Sequence, residues 1–103
     1  MKANIAKAKQ YSLVILKAGP EFAADSAKHA IWEHARKNFA LRAEGLQPIV
    51  CPVADGTEIC GIGIFTISAE EVRKIMEADP AVTEKVLTYE IHPCRSFPGD
   101  KLP

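Results

Sequence analysis

The chain reads as an α+β domain of the ferredoxin-like split type, β-α-β-β-α-β. Three observations predict it. Apolar runs of strand length occupy residues 11–17, 46–53, 59–67 and 86–92. Two stretches of helical periodicity, at 25–44 and 68–78, interrupt them in the order strand, helix, strand, strand, helix, strand. Between the second and third strands stands Asp55-Gly56, a pair suited to a tight turn, which makes those two strands a hairpin.

Each element has its own local reason. The first strand, YSLVILK, is apolar at consecutive central positions, the pattern of a strand covered on both faces. Gly19-Pro20 ends it, because glycine takes turn conformations and proline cannot stay in the ladder. A helix opens near Asp25 or Ser26, either of which can cap free amides, and runs to about Glu44. Gly45 is its expected left-handed terminator. At about 100° per residue, Ala27, Ala30, Ile31, His34, Ala35, Asn38 and Leu41 share one broad face. Lys28, His29, Glu33, Lys37 and Glu44 fall on its flanks or outer side. Trp32 and Phe39 flank the apolar face and read as core or dimer-contact residues.

The second strand contains Pro48 and Pro52, which cannot donate to a ladder, so it is expected at an edge or a bulge. In the return strand, ICGIGIFTI, Gly61 and Gly63 share a parity. One side of that strand is therefore bare, where a helix or ligand can come close. Ser68 and Glu71 form a capping box, and the second helix buries Val72, Ile75 and Met76 before stopping near Ala78. Asp79-Pro80 ends it, since the residue before a proline disfavours the helical region. Residues 86–92 alternate as a last strand, and the tail from Pro93 reads as turn-rich and superficial.

With 103 residues, 48% of them apolar and 25% charged, the chain is one ordinary globular domain. The expected organisation is a flexible arm at 1–9, the domain at 10–94, and a tail at 95–103 packing on the surface or on the partner subunit. Thirteen basic residues balance thirteen acidic ones, and no like-charged block occurs. That excludes the usual footprints of nucleic acid and of an anionic membrane as partners. No apolar run approaches the ~18 residues of a membrane span, and the basic first residues lack the apolar segment of a signal peptide. Three cysteines, an odd number, fit a reducing compartment, so the expected location is cytoplasmic. Two helices cover only one face of a four-stranded sheet whose central strands read as apolar on both. A second copy of the chain, sheet against sheet, is the expected cover, giving a homodimer or a higher oligomer built on it.

His34 and Asn38 stand one helical turn apart on the apolar face, where polar side chains need partners. Two readings of His34 stay open. It is a satisfied structural residue, or a general acid or base, since its charge changes near neutral pH. Asp79 serves its own turn, or it faces a cation, because a carboxylate at a helix C-terminus is otherwise mildly unfavourable. Should a ring nitrogen of His34 reach Asp79, the carboxylate fixes the tautomer and favours the charged ring. Glu90, His92 and Cys94 share a strand parity but read as solvated residues, without the spacing of a metal set. Cys51 and Cys60 read as packing thiols. Gly61-x-Gly63 lies inside a strand and is no phosphate loop.

Taken together, Glu33-His34 eleven residues before Gly45, Gly61-Ile62, Ser68-Ala69-Glu70-Glu71, Ala78-Asp79-Pro80-Ala81-Val82 and Glu90-Ile91-His92-Pro93 resemble the YCII-related family. The tail, Arg95 to Asp100, is similar to an extension that some members carry. The resemblance covers residues 11–100, and its most specific parts are the helical histidine and the Asp-Pro-x-Val turn. It implies a dimeric α+β barrel with the two sheets facing each other, and a pocket in which His34 and Asp79 meet. It also implies small, often aromatic or lactone-like substrates handled by proton abstraction, isomerisation, dehydrohalogenation or cofactor-free oxidation. Four positions depart from the family pattern. Cys51-Pro52 replaces Gly-Pro after the second strand, placing a thiol at the pocket rim. Lys85 replaces a glycine, so its turn is expected to take another conformation. Cys94 replaces a tryptophan, and Asn38 stands where an apolar residue is common.

The resulting expectation is a cofactor-free small-molecule enzyme of lyase, isomerase or dehydrochlorinase type. His34 and Asp79 are its acid/base pair, with Asn38, Cys51 and Pro52 against the substrate and no metal. The alternative is a small-ligand-binding or assembly module on the same barrel that converts nothing.

Overall fold

A computed structural model describes residues 7–103. Among them are four strands and three helices: β1 (Lys9–Ala18), α1 (Ala27–Ala43), β2 (Ile49–Pro52), β3 (Ile59–Phe65), α2 (Ala69–Glu77), α3 (Pro80–Thr83) and β4 (Leu87–Ser96). The strands form one antiparallel sheet in the order β2-β3-β1-β4. This is the ferredoxin-like α+β arrangement that the strand and helix order predicts, with one short helix added. The expected arm at 1–9 falls mostly outside the described residues, and Lys9 already pairs with Ser96 in the sheet.

Alternation in β1 and β3 sorts the sheet into two faces. Ser12, Val14, Leu16, Gly61, Gly63 and Phe65 are buried beneath the helices. There they join Ala27 and Ala30 of α1, Val72 and Met76 of α2, Ala81 of α3, and Val86 and Leu87 in one core. Small residues at 27 and 30 let α1 settle close to α3. On the opposite face the register sets Leu13 beside Ile64 and Ile15 beside Ile62, and it sets Ile49 beside Ile64. No part of the described chain forms a layer over these residues.

Several local expectations hold for the reasons given. Gly45 follows α1 with φ 79°, and the amides of Leu46 and Gln47 both return to the Leu41 carbonyl. The Ser68 hydroxyl accepts from the Glu71 amide at the start of α2. Strand β2, short and proline-bounded, is an edge of the sheet.

Three expectations are corrected. Of the two places expected for Trp32 and Phe39, the core is excluded: they are 60% and 64% exposed, and Trp32 carries the Arg36 guanidinium over its ring. The final strand does not stop at His92 but continues through Pro93 to Ser96, paired with the start of β1. Proline is tolerated there because β4 is an edge strand, with a side that needs no partner. Asp79 does not sit against an unfavourable helix C-terminus alone. It is the N-cap of α3, with Pro80 in the first helical position. Lys85 has a left-handed backbone, with φ 62°, a conformation that favours glycine. Its carbonyl accepts from Glu21, and a Cβ on the neighbouring Gly19 would collide with that oxygen. The tight crossing at Gly19 fixes the turn, and the side chain at 85 tolerates the strain.

Candidate functional site

The covered face of the sheet is where the polar residues of α1 meet their partners. His34 and Asn38 lie on its buried stripe with Ala27 and Ala30. From the corner between α2 and α3 comes Asp79, held by Pro80 and by its cap. Its Oδ1 accepts from the Ala81 amide at 2.9 Å, which leaves Oδ2 free to face α1. Oδ2 lies 2.6 Å from His34 Nδ1. The pair is buried, with 7% of His34 and 1% of Asp79 exposed. An ionised carboxylate can only accept, so the hydrogen of this bond sits on Nδ1. A neutral ring then carries its lone pair on Nε2.

That second nitrogen is not left bare. Asn38 Nδ2 lies 3.0 Å from His34 Nε2, and Asn38 Oδ1 accepts from Gln47 Nε2, also at 3.0 Å. Four buried side chains thus form one chain of hydrogen bonds: Gln47, Asn38, His34 and Asp79. Among the described residues no buried side-chain nitrogen or oxygen lacks a partner. Residues His34, Asp79 and Asn38, singled out in the sequence, are therefore brought together, whereas Gln47 was not. The signal that could have found it was the bare parity of β3. Gln47 lies over Gly63, where an added Cβ would come within 2.1 Å of Gln47 Oε1. The turn after α1 holds Gln47 there, since Thr66 at the end of β3 binds the carbonyls of Gly45 and Leu46.

His34, Asn38 and Gln47 form one side of a cavity of about 310 Å³ between α1 and the β2/β3 edge. Its other walls are apolar, chiefly Leu16, Phe22, Ile31, Phe39, Val50 and Leu87, and among the described residues no lysine, arginine or glutamate lines it. Cys51 and Pro52 are among the residues that line it on the β2 side. Cys60 joins them, at a register shift between Leu16 and Lys17 that leaves it without a partner on β1. Burial pushes the Cys60 thiol up from its ordinary range, which disfavours the thiolate. Glu90 and His92 lie away from the cavity, on the open face beside Lys17. The described residues hold no cluster of three or more histidine, cysteine or acidic side chains fit for a metal ion. None of the described helices is long and apolar enough to cross a membrane.

No family model matches the chain, and no curated protein matches it in sequence. Among solved structures it is similar to the 5-chloro-2-hydroxyhydroquinone dehydrochlorinase (TftG) of Burkholderia phenoliruptrix AC1100, in complex with 2,5-dihydroxybenzoquinone. The TM-score is 0.53 and the identity 20%, over 80% of this chain and 90% of that one. The likeness is one of fold.

Proposed function

We propose that this protein is a YCII-like, cofactor-free enzyme in which the His34–Asp79 pair moves a proton on a small organic substrate. The observation that carries the reading is the 2.6 Å contact between His34 Nδ1 and Asp79 Oδ2, buried beside an apolar cavity of about 310 Å³. In that arrangement Asp79 orients the ring and balances its charge, and Nε2 takes a proton from a carbon or oxygen acid. A positioned base of this kind contributes ~10²–10⁴-fold to a rate. The cavity walls favour a molecule of one ring, largely apolar and uncharged, because among the described residues no cationic side chain lines them to hold a carboxylate or phosphate. Isomerisation and elimination, including loss of chloride, are the reactions that one base and a dry pocket serve best. The dehydrochlorinase of similar fold supports that class without naming this chain's substrate.

A second copy of the chain covers the open face of the sheet. The support is the apolar set Leu13, Ile15, Ile49, Ile62 and Ile64, gathered on one face with Ile62 36% exposed. A monomer by light scattering at micromolar concentration would contradict this assembly.

One observation favours the second reading, a ligand-binding module without turnover: the Asn38 amide occupies Nε2, so both ring nitrogens are engaged. The two readings part in one experiment. Uncharged phenols, quinones and chlorinated hydroquinones are screened for stabilisation of the fold, and the stabilisers are then followed for isomerisation or chloride release. The enzyme reading expects turnover that His34→Gln removes while folding and self-association persist. Stabilisation without any conversion, unchanged by His34→Gln, leaves the binding module.

A further inference from the structure

The chain of hydrogen bonds that ends on His34 has a direction, and it can run either way. An amide has a donor end and an acceptor end, so Asn38 and Gln47 can each be turned over and remain bonded. With a neutral ring, Gln47 Nε2 donates to Asn38 Oδ1 and Asn38 Nδ2 donates to Nε2. With a proton on Nε2, that nitrogen becomes a donor and the Asn38 N–H facing it becomes a clash of donors. Asn38 then has to present Oδ1 to the ring and Nδ2 to Gln47, and Gln47 has to present Oε1. Both side chains have somewhere to turn, since they border the cavity and no Cβ stands over Gly63.

We propose that Asn38 and Gln47 form an amide relay that reverses when His34 takes up a proton, and that Gln47 is a positioning residue acting through Asn38. The inference rests on the proton-transfer reading for its catalytic consequence, though the reversal itself is a property of the ring. In the resting direction the relay holds His34 as the Nδ1–H tautomer and keeps its lone pair on Nε2. A substrate reaches that lone pair by displacing one Asn38 N–H. The proton leaves the substrate, bonds to Nε2, and its charge is balanced by Asp79. In the reversed direction Asn38 Oδ1 accepts from the new N–H, so the imidazolium is bonded at both nitrogens until the proton is returned.

Few other charges address the ring. Asp79 faces it from the corner of α2 and α3, and the other titratable residues among those lining the cavity are Cys51 on β2 and Cys60 on β3. On its own helix, Glu33 bonds outward to Arg36, and Lys37 is not among the cavity residues. A response of Gln47 that follows the His34 ring therefore reports that ring by way of Asn38.

The test is a pH titration of the intact protein by nuclear magnetic resonance. Ring nitrogens of His34 and side-chain amides of Asn38 and Gln47 are observed together, with the exposed Gln10 amide as control. In the wild-type protein, the Asn38 and Gln47 amides should shift with the same midpoint as the His34 ring while Gln10 does not. In Asn38→Leu, Gln47 should become insensitive to pH while the ring still titrates. A Gln47 amide that is constant across the wild-type ring titration overturns the relay, and that arm needs no variant to fold. So does a Gln47 shift that survives intact in Asn38→Leu, which would mark a field acting through space. Failure here leaves the His34–Asp79 pair as a base, whereas absence of turnover leaves the relay as measured.

Discussion

Among the described residues, the sheet buries beneath the helices polar side chains joined by hydrogen bonds, and on its other face it carries apolar side chains without a cover. Asp79, His34, Asn38 and Gln47 lie on the first side in an unbroken hydrogen-bonded chain. Leu13, Ile15, Ile62 and Ile64 lie on the second, bordered by the exposed links of Glu90 to Lys17 and His92. A buried polar group is tolerated only with partners, and an exposed apolar surface is stable only when something covers it. Under the proposed function the difference corresponds to two tasks on one sheet: proton transfer on the helix side and self-association on the other.

The covered face should break most easily at Asp79. Asp79→Ala removes the cap of α3 and strands the His34 ring, and it should cost on the order of 3–5 kcal/mol in urea unfolding. Asp79→Asn keeps an acceptor for the Ala81 amide and should cost far less, so it separates the charge from the fold. Equal losses for the two variants would mean that the carboxylate's charge is itself structural. On the open face, Ile64→Lys sets a charge between Leu13 and Ile49 at the centre of the apolar set while leaving the helix-side core untouched. Sedimentation should then show self-association weakened on the order of 100-fold or more. Unchanged association would place the interface elsewhere.

A finer cut concerns Gly63. Alanine there would collide with Gln47 and should cost about 1–3 kcal/mol. In a Gln47→Ala background most of that cost should vanish, a coupling that thermal unfolding of the four proteins can measure. Additive costs would show that Gly63 serves the sheet rather than Gln47. The smallest effect belongs to the exposed pair on the open face. Hydrogen bonding from Lys17 holds the Glu90 carboxyl below its ordinary value of 4.5, and Glu90 in turn raises Lys17 above 10.5. The stabilisation from Glu90 is present above pH 4.5 and fades as the pH falls through its lowered value. That from Lys17 is present below pH 10.5 and fades as the pH rises through its raised value. The stability difference between wild type and Glu90→Gln should therefore be small and positive at neutral pH and close at both extremes. A difference that ignores pH would assign it to packing.

How much of this could be read from the chain alone depended on the kind of signal. Periodicity in 25–44 and the consecutive apolar residues of 11–17 are local, and they placed the helix stripe, the succession of elements and the need for a cover on both faces. Asp79 could be suspected because a carboxylate before a proline is conspicuous, yet no local rule reports a distance across 45 residues. Gln47 escaped because its role depends on Gly63 of another strand and on the turn at Gly45, a relation that exists only after folding. The same holds for Lys85, whose backbone is set by its crossing with Gly19 against the preference of its own side chain.

The central claim, that His34 with Asp79 abstracts a proton, is most directly tested in deuterium oxide. Compounds that stabilise the protein are incubated with wild type and with Asp79→Asn, and exchange of their acidic C–H hydrogens for deuterium is followed by proton resonance. Wild type should exchange at least one such position, with the rate falling ~10²-fold or more in Asp79→Asn. Equal exchange by the two proteins, or none above the buffer rate for any stabilising compound, would contradict the account.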